Sequence, residues 1–197
     1  TDRQALIKLL QYVFGYAPMR IDQICKIARG KVISKKDIEA HPGNYPVYSS
    51  QTENNGELGK IDSYMYDGEY LTWTTDGANA GTVFLRDGKF NITNVCGLLQ
   101  PDTTKVDIHY LFHALSVTAR SYVSAGMGNA KLMSNVMGSI VIALPPIRKQ
   151  KEISKKLDDF ERICNDLSSG LPAEISARQK QYEYYRDQLL TFREKQA

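Results

Sequence analysis

Cysteine is scarce in this 197-residue chain: Cys25, Cys96 and Cys164 are the only three, and an odd, widely spaced set fits neither a disulfide framework nor a zinc ribbon. Long apolar runs are missing as well. No stretch approaches the roughly 18 consecutive apolar residues of a membrane span, and the opening TDRQALIKLLQYVFGYAP lacks the uninterrupted apolar run and small-residue cleavage site of a signal peptide. The expectation is a cytoplasmic protein with no membrane partner, and Thr1 in place of an initiator Met points to a processed, tagged or excised chain. Charge of one sign is barely in excess, with 25 Lys and Arg against 22 Asp and Glu, which taken over the whole chain argues weakly against nucleic acid. A hydrophobic content of 42% with 10% aromatics argues against disorder and supplies enough apolar surface for a core.

Complete catalytic signatures are also lacking. The LPPI segment at 144–147 resembles the Asn-Pro-Pro-aromatic site of amino-methyltransferases, but Leu144 stands where a polar side chain must hold the target amine. His109 and His113 have the spacing of a zincin pair, yet Tyr110 occupies the place of the general base, so packing or capping explains them better. The glycine-rich run Gly126-Met127-Gly128-Asn129-Ala130-Lys131 has neither phosphate-loop spacing nor a following Ser or Thr for magnesium. Asp76 with Asp87-Gly88-Lys89 loosely matches a nuclease metal site, in which carboxylates hold magnesium and lysine supports the attacking water. A hairpin turn between GTVFL and KFNIT is the better reading of Arg86 to Lys89.

The distribution of charge is more informative than its sum. Residues 20–36 carry Arg20, Lys26, Arg29, Lys31, Lys35 and Lys36 against Asp22 alone, whereas residues 51–107 hold four basic and nine acidic residues. Between Asp107 and Glu152 there is no carboxylate, while Arg120, Lys131, Arg148, Lys149 and Lys151 are present. Two acid-poor basic segments flanking an acidic one can fold onto one positive face.

Apolar spacing predicts a helix over 3–14 through Leu6, Leu9, Leu10 and Val13, a buried helix over 107–123, and a short strand over 139–144 halted by Pro145-Pro146. Residues 45–100 read as strands, rich in β-branched and aromatic residues and punctuated by Asn55-Gly56, Asp67-Gly68, Asp76-Gly77 and Asp87-Gly88, each tolerant of the positive φ that a tight hairpin requires. The fold class predicted is α+β: a β-rich domain followed by a long C-terminal helix, or a kinked helix pair. From Ile153 the apolar residues step by four and three through Leu157, Phe160, Cys164, Leu167 and Leu171, and continue through Ile175, Tyr182, Tyr185, Leu189 and Phe192. That is a heptad seam, interrupted at Gly170 and Pro172, and its length calls for an external partner in an antiparallel coiled coil. A hairpin folding back at Gly170 is the alternative.

Three polar loops remain, at 49–60, 74–82 and 124–135. Asn and Gln pair bidentately with adenine, Lys and Arg with guanine, and Ser and Thr with base or phosphate. The candidate DNA contacts are Ser50, Gln51, Asn54, Asn55, Lys60, Thr74, Thr75, Asn79, Lys131, Ser134 and Asn135, with Arg29 and Lys31 as phosphate contacts.

The stretches YPVYSSQTENNGELGKIDSYMYDGEYLTWTTDGANAGTVFLRDGKFNITNVCG (45–97), GNAKLMSNVMGSIVIALPPIRKQKEISKKLDDF (128–160) and GLPAEISARQKQYEYYRDQLLTF (170–192) together resemble the specificity (S) subunit of type I restriction-modification systems. The resemblance covers more than half of the chain, in the family's order. It implies an N-terminal helix at 1–18, a target recognition domain at 19–146 and a helical spacer at 147–197 for dimerisation and subunit docking. It further implies a non-catalytic, sequence-specific DNA-binding subunit with no cofactor of its own. S-adenosylmethionine is expected in the partner modification subunit, and restriction subunits are a further partner that the residues leave open. Family members carry two recognition domains. A chain with one is expected to form a homodimer reading a bipartite, palindromic site. The rival readings are a recognition domain severed from a fused restriction-methylation enzyme, an S fragment that modulates assembly, and a metal-dependent nuclease using Asp76, Asp87 and Lys89.

Overall fold

A computed structural model describes residues 2–124, 130–166 and 171–190 and divides the chain into two compact units, Thr1–Ser154 and Lys155–Ala197. The first unit opens with helix α1 (Asp2–Phe14). Of the predicted stripe Leu10 leans on the core, beside Ile7, whereas Leu6, Leu9 and Val13 are more than half exposed. Only one stripe of a helix can face a given surface. Here Ile7 and Leu10 share it with Gln11, whose amide donates to the Leu144 carbonyl at 3.0 Å.

Strand β1 (Ala17–Arg20), a helical turn α2 (Ile21–Ile24), strand β2 (Cys25–Arg29) and helix α3 (Lys35–Ala40) come next. Ser34 and Asp37 cap α3 reciprocally, the Ser34 hydroxyl accepting from the Asp37 backbone while the Asp37 carboxylate accepts from the Ser34 backbone at 2.7 Å. The strand region comprises β3 (Pro42–Tyr48), β4 (Glu57–Ile61), β5 (Tyr66–Asp67), β6 (Tyr70–Thr74), β7 (Val83–Arg86), β8 (Lys89–Ile92) and β9 (Cys96–Pro101). Helix α4 (Ile108–Thr118), capped by the Asp107 carboxylate, ends in a 3-10 turn at Ala119–Tyr122, and α5 (Ser134–Ser139) leads into β10 (Val141–Leu144). Strand β10 pairs antiparallel with β1, joining the two ends of the unit.

The remaining strands form two four-stranded sheets, ordered β2-β9-β6-β7 and β4-β3-β8-β5. The first is antiparallel throughout, whereas β3 and β8 run parallel in the second. Strand β9 explains the uninterrupted apolar run VCGLL, because both of its faces are covered. Leu99 joins a core with Trp73, Leu71, Leu111, Leu115 and Met137 on the helical side, while Cys96 and Leu98 join Phe90 and Ile92 toward the second sheet. Fully buried, Leu111 and Leu115 contribute on the order of 2 kcal/mol each by removal from water.

Only two of the four Asx-Gly pairs close hairpins. Asn55-Gly56 lies between the paired strands β3 and β4, and Asp76-Gly77 between β6 and β7. Asp67-Gly68 and Asp87-Gly88 carry the chain from one sheet to the other, so the hairpin expected between GTVFL and KFNIT does not form: β7 pairs with β6, and β8 with β3 and β5. The turn residue has its predicted positive φ, +83° at Gly88, but local geometry does not choose the strand partner.

Helix α6 (Ile147–Asn165) starts directly after Pro145-Pro146, and Gln150 anchors its first turns: its carbonyl accepts from the Asp107 backbone at 2.9 Å and its amide donates to the Pro145 carbonyl at 2.7 Å. Helix α7 (Leu171–Leu190) is separate, so the heptad segment is two helices. On the seam, Ile153 and Cys164 are half-buried, while Leu157, Phe160, Ile175, Tyr182 and Tyr185 are exposed, Phe160 at 65%. Ile163 and Tyr184, off the predicted seam, are exposed too. Leu167 and Phe192 lie outside the described residues, and Leu171 and Leu189 are described only as helical backbone. No helix among the described residues is long and apolar enough to cross a membrane.

Candidate nucleic-acid interface

Strand register gathers several loops at one rim. Arg29 ends β2 opposite Gly97, Thr74 ends β6 opposite Cys96, and Val83 begins β7 opposite Trp73, so the segments at 30–34, 75–82 and 93–95 all leave the same edge of the first sheet. In the second sheet Tyr48 ends β3 opposite both Glu57 and Ile92, which places the 49–56 loop beside them. Thr93 joins the two sheets: its backbone donates to the Tyr48 carbonyl at 2.9 Å, it is bridged to Lys31, and its hydroxyl donates to that of Ser49 at 3.2 Å. Asn79 donates from its amide to the Thr52 hydroxyl at 2.9 Å, tying the 75–82 loop to the 49–56 loop.

At the centre lies Asp76. Its carboxylate stands 3.9 Å from Arg29 Nη2 and 3.8 Å from Lys131 Nζ, and Asp76 and Lys131 also form an antiparallel backbone bridge. The 130–133 segment is held on both sides, because Gly77 donates to the Ala130 carbonyl, Leu132 donates to the Thr75 carbonyl, and Trp73 Nε1 donates to the Leu132 carbonyl at 2.9 Å. Arg29 is fixed by donation to the Asn94 carbonyl from Nε at 3.1 Å and from Nη2 at 2.5 Å, and to the Thr75 hydroxyl at 3.0 Å. Three segments remote in sequence thus bring two cations and one carboxylate to a single accessible point.

The predicted contact residues divide accordingly. Arg29, Thr75 and Lys131 meet, and Asn79 joins them through the loop it braces. Thr74 and Thr75, however, are fully buried, and their hydroxyls are used internally: that of Thr74 donates to the Asn79 carbonyl, and that of Thr75 lies 2.6 Å from Asp76 Oδ2. They shape the rim and are withdrawn from the contact set, since a buried hydroxyl cannot reach a ligand. Gln51 is half-buried and its amide donates to the Glu57 carbonyl, so it too closes its own loop. Asn54 and Asn55 are exposed, with left-handed φ of 48° and 53°, conformations that Asn tolerates better than most residues. Lys31 and Asn135 are exposed, Ser50 is half-buried, and Ser134 has a buried hydroxyl with no hydrogen-bond partner among the described residues. Lys60, opposite Pro46, stands three residues along β4 from the loop, roughly 10 Å at the strand rise, and no described contact joins it to the cluster.

Sequence reasoning missed Asp76 as part of this surface because the carboxylate sits in the acidic segment, and nothing local signals that it meets two basic ones. It also missed Arg86. This side chain is 3% exposed, with its guanidinium 3.6 Å from the Tyr48 ring centroid and 4.4 Å from that of Phe84. Nε donates to the Thr72 hydroxyl at 3.1 Å, neither Nη has a partner of hydrogen-bonding geometry among the described residues, and burial pushes the guanidinium pKa down. Burial likewise pushes the thiols of Cys25 and Cys96 up to about 12, which leaves them poor nucleophiles.

The nuclease reading does not survive the geometry. Asp76 and Asp87 lie beyond opposite ends of β7, the Asp87 carboxylate accepts from the Gly88 backbone at 2.8 Å, and Lys89 sits over the Tyr64 ring at 4.6 Å. Among the described residues no group of three potential ligands could hold a metal. His109 pairs with Glu69 at 3.2 Å.

Residues 15–177 match the family described as Type I restriction modification DNA specificity domain. The chain is 41% identical over 181 residues to the type I restriction enzyme MpnII specificity subunit of Mycoplasma pneumoniae, covering 92% of this chain and 54% of that protein. It is 45% identical to the N-terminus of type I specificity subunit S.MpnORF289P of the same organism, covering 87% and 94% respectively. The chain therefore spans about half the length of the MpnII subunit. In fold it is similar to the crystal structure of a type I S subunit from M. genitalium, with a TM-score of 0.65 at 18% identity over 87% of this chain and 45% of that one. An HsdS subunit from Thermoanaerobacter tengcongensis gives a TM-score of 0.57 at 16% identity, over 82% and 44%.

Proposed function

The chain belongs to the type I restriction modification DNA specificity family, and from that premise we propose that it recognises a short DNA sequence and confers that specificity on type I modification subunits. The observation that carries this reading is the shared rim, which gathers the segments bearing Arg29, Lys31 and Lys131 with the loops bearing Asn54, Asn55 and Asn79. Basic groups draw in the phosphate backbone, and amides and guanidinium read base edges. The chain supplies recognition and no chemistry. S-adenosylmethionine is bound by the modification subunit, and restriction subunits join when the complex cleaves. The exposed apolar residues of α6 and α7, Leu157, Phe160, Ile175, Tyr182 and Tyr185, form a coiled-coil seam with a second copy, so the homodimer reads a bipartite palindrome.

Co-expression with type I modification subunits, followed by sequencing of modified bases, tests the proposal. One defined motif is expected, symmetric about an unread spacer. Absence of any motif, or magnesium-dependent cleavage by the purified chain alone, overturns it. A chain that stays monomeric and supports methylation by the modification subunits only with a second recognition domain supplied in trans favours a portion of a two-domain subunit over a homodimer.

A further inference from the structure

The carboxylate of Asp76 is out of place in a surface meant only for phosphate. Two cations at a rim attract the DNA backbone, and an acid between them weakens that attraction by like-charge repulsion. Its distances to Arg29 and Lys131, 3.9 and 3.8 Å, exceed the 2.7–3.2 Å of an N–H···O hydrogen bond, so neither pair consumes its own donors and acceptors. Oδ2 takes the Thr75 hydroxyl at 2.6 Å, while Oδ1 has only Lys131 near it among the described residues. On Arg29, Nε and Nη2 are held by Asn94 and Thr75, whereas Nη1 meets only the weak acceptor Met133 Sδ at 3.8 Å. Among the described residues, one acceptor, Oδ1, and donors on Nη1 and Nζ are therefore left for a ligand, on side chains 25%, 30% and 52% exposed for Asp76, Arg29 and Lys131.

In the major groove the donors offered by bases are the exocyclic amines, cytosine N4 and adenine N6, whereas guanine O6 and thymine O4 are acceptors. Resting on the DNA-recognition reading above, we propose that Asp76 is a specificity-determining residue: its Oδ1 accepts from the exocyclic amine of one target base and rejects a keto base there, with Arg29 and Lys131 donating to neighbouring acceptors. A keto oxygen facing the carboxylate leaves two acceptors opposed and desolvated, a stronger discrimination than a missing contact.

The test is selection of duplexes from a randomised pool by the full chain, wild type and Asp76→Asn, with thermal unfolding in parallel. The wild type is expected to enrich a motif with adenine or cytosine at one strand position. Asp76→Asn is expected to lose about tenfold of the discrimination at that position and to keep the others, because an amide can also donate to a keto oxygen. Weaker binding to all duplexes alike, or an unchanged preference at every position, overturns the assignment and leaves Asp76 a clamp for Arg29 and Lys131. If the variant does not fold, the wild-type chain carries the test with duplexes in which the implicated base is replaced by its analogue lacking the exocyclic amine. Unchanged affinity then overturns the proposal. Failure of the wild type to enrich any motif tells instead against DNA recognition itself.

Discussion

Trp73 lies flat over Gly97, its strand neighbour across the β6–β9 pair, so closely that a Cβ on Gly97 would stand 2.2 Å from the indole ring. The absent side chain lets the indole bury fully, and its Nε1 then reaches the Leu132 carbonyl and holds the segment that presents Lys131. Gly97→Ala is therefore expected to destabilise the fold by about 3 kcal/mol or more, at the upper end of overpacking costs. It should also weaken DNA binding in whatever fraction remains folded. A midpoint of urea unfolding within error of the wild type would show that the ring can move aside.

Arg29 and Lys131 are exposed enough to meet DNA. Lys131→Ala should lower affinity about tenfold at physiological salt and reduce the slope of log affinity against log salt by about one. Arg29→Ala should cost about 1–3 kcal/mol, because it loses a charged DNA contact and frees the Asn94 and Thr75 acceptors together. Fluorescence anisotropy over a salt series separates the two. Unchanged affinity for either variant in the assembled methyltransferase removes that residue from the interface.

Arg86 separates charge from volume. Arg86→Ala leaves a cavity beneath Tyr48 and Phe84 and should cost about 2–4 kcal/mol. Arg86→Met keeps most of the volume and removes a buried charge whose Nη atoms lack hydrogen-bond partners among the described residues, so its stability should lie within about 1 kcal/mol of the wild type. Equal losses for the two variants in thermal melts would mean that the cation itself holds the sheets together.

On α6, Leu157 and Phe160 are 40% and 65% exposed, so replacing both by Asp removes little internal packing. The double variant is expected to sediment as a monomer, with the unfolding temperature of the recognition domain changed by no more than a few degrees. If it still sediments as a dimer, the seam is not the dimer contact.

The Asp102 carboxylate is held well below the usual carboxylate range, at about 2, chiefly by Lys105 and then by Thr104. A depressed folded-state pKa contributes stability that is fully present above about pH 4 and is lost as pH falls toward 2. With the side chain 36% exposed, solvent screening reduces that contribution to about 1 kcal/mol or less. Asp102→Asn should therefore be less stable than the wild type at pH 6 and indistinguishable from it at pH 2. Parallel unfolding curves with a constant gap across that range would assign its effect to the turn geometry rather than the charge.

Elements whose cause is local were legible in the amino-acid order. The helix expected over 107–123 forms because its apolar residues keep helical spacing, Leu111 and Leu115 on one buried face, Gly88 turns because it lacks a Cβ, and the four-three steps from Ile153 follow from helical pitch alone. Family membership was legible too, since long runs in the family's order carry it. Which strand takes which partner was not. Asp76-Gly77 closes a hairpin and Asp87-Gly88 crosses between sheets with the same turn chemistry, because pairing is decided by the burial of whole sheet faces, Leu99 on one side of β9 and Leu98 on the other. The meeting of Arg29, Asp76 and Lys131 belongs to the same class. Each is ordinary within its own segment, and only the register of β2 and β6 and the backbone bridge from Asp76 to Lys131 bring two cations and an acid to one point of the rim.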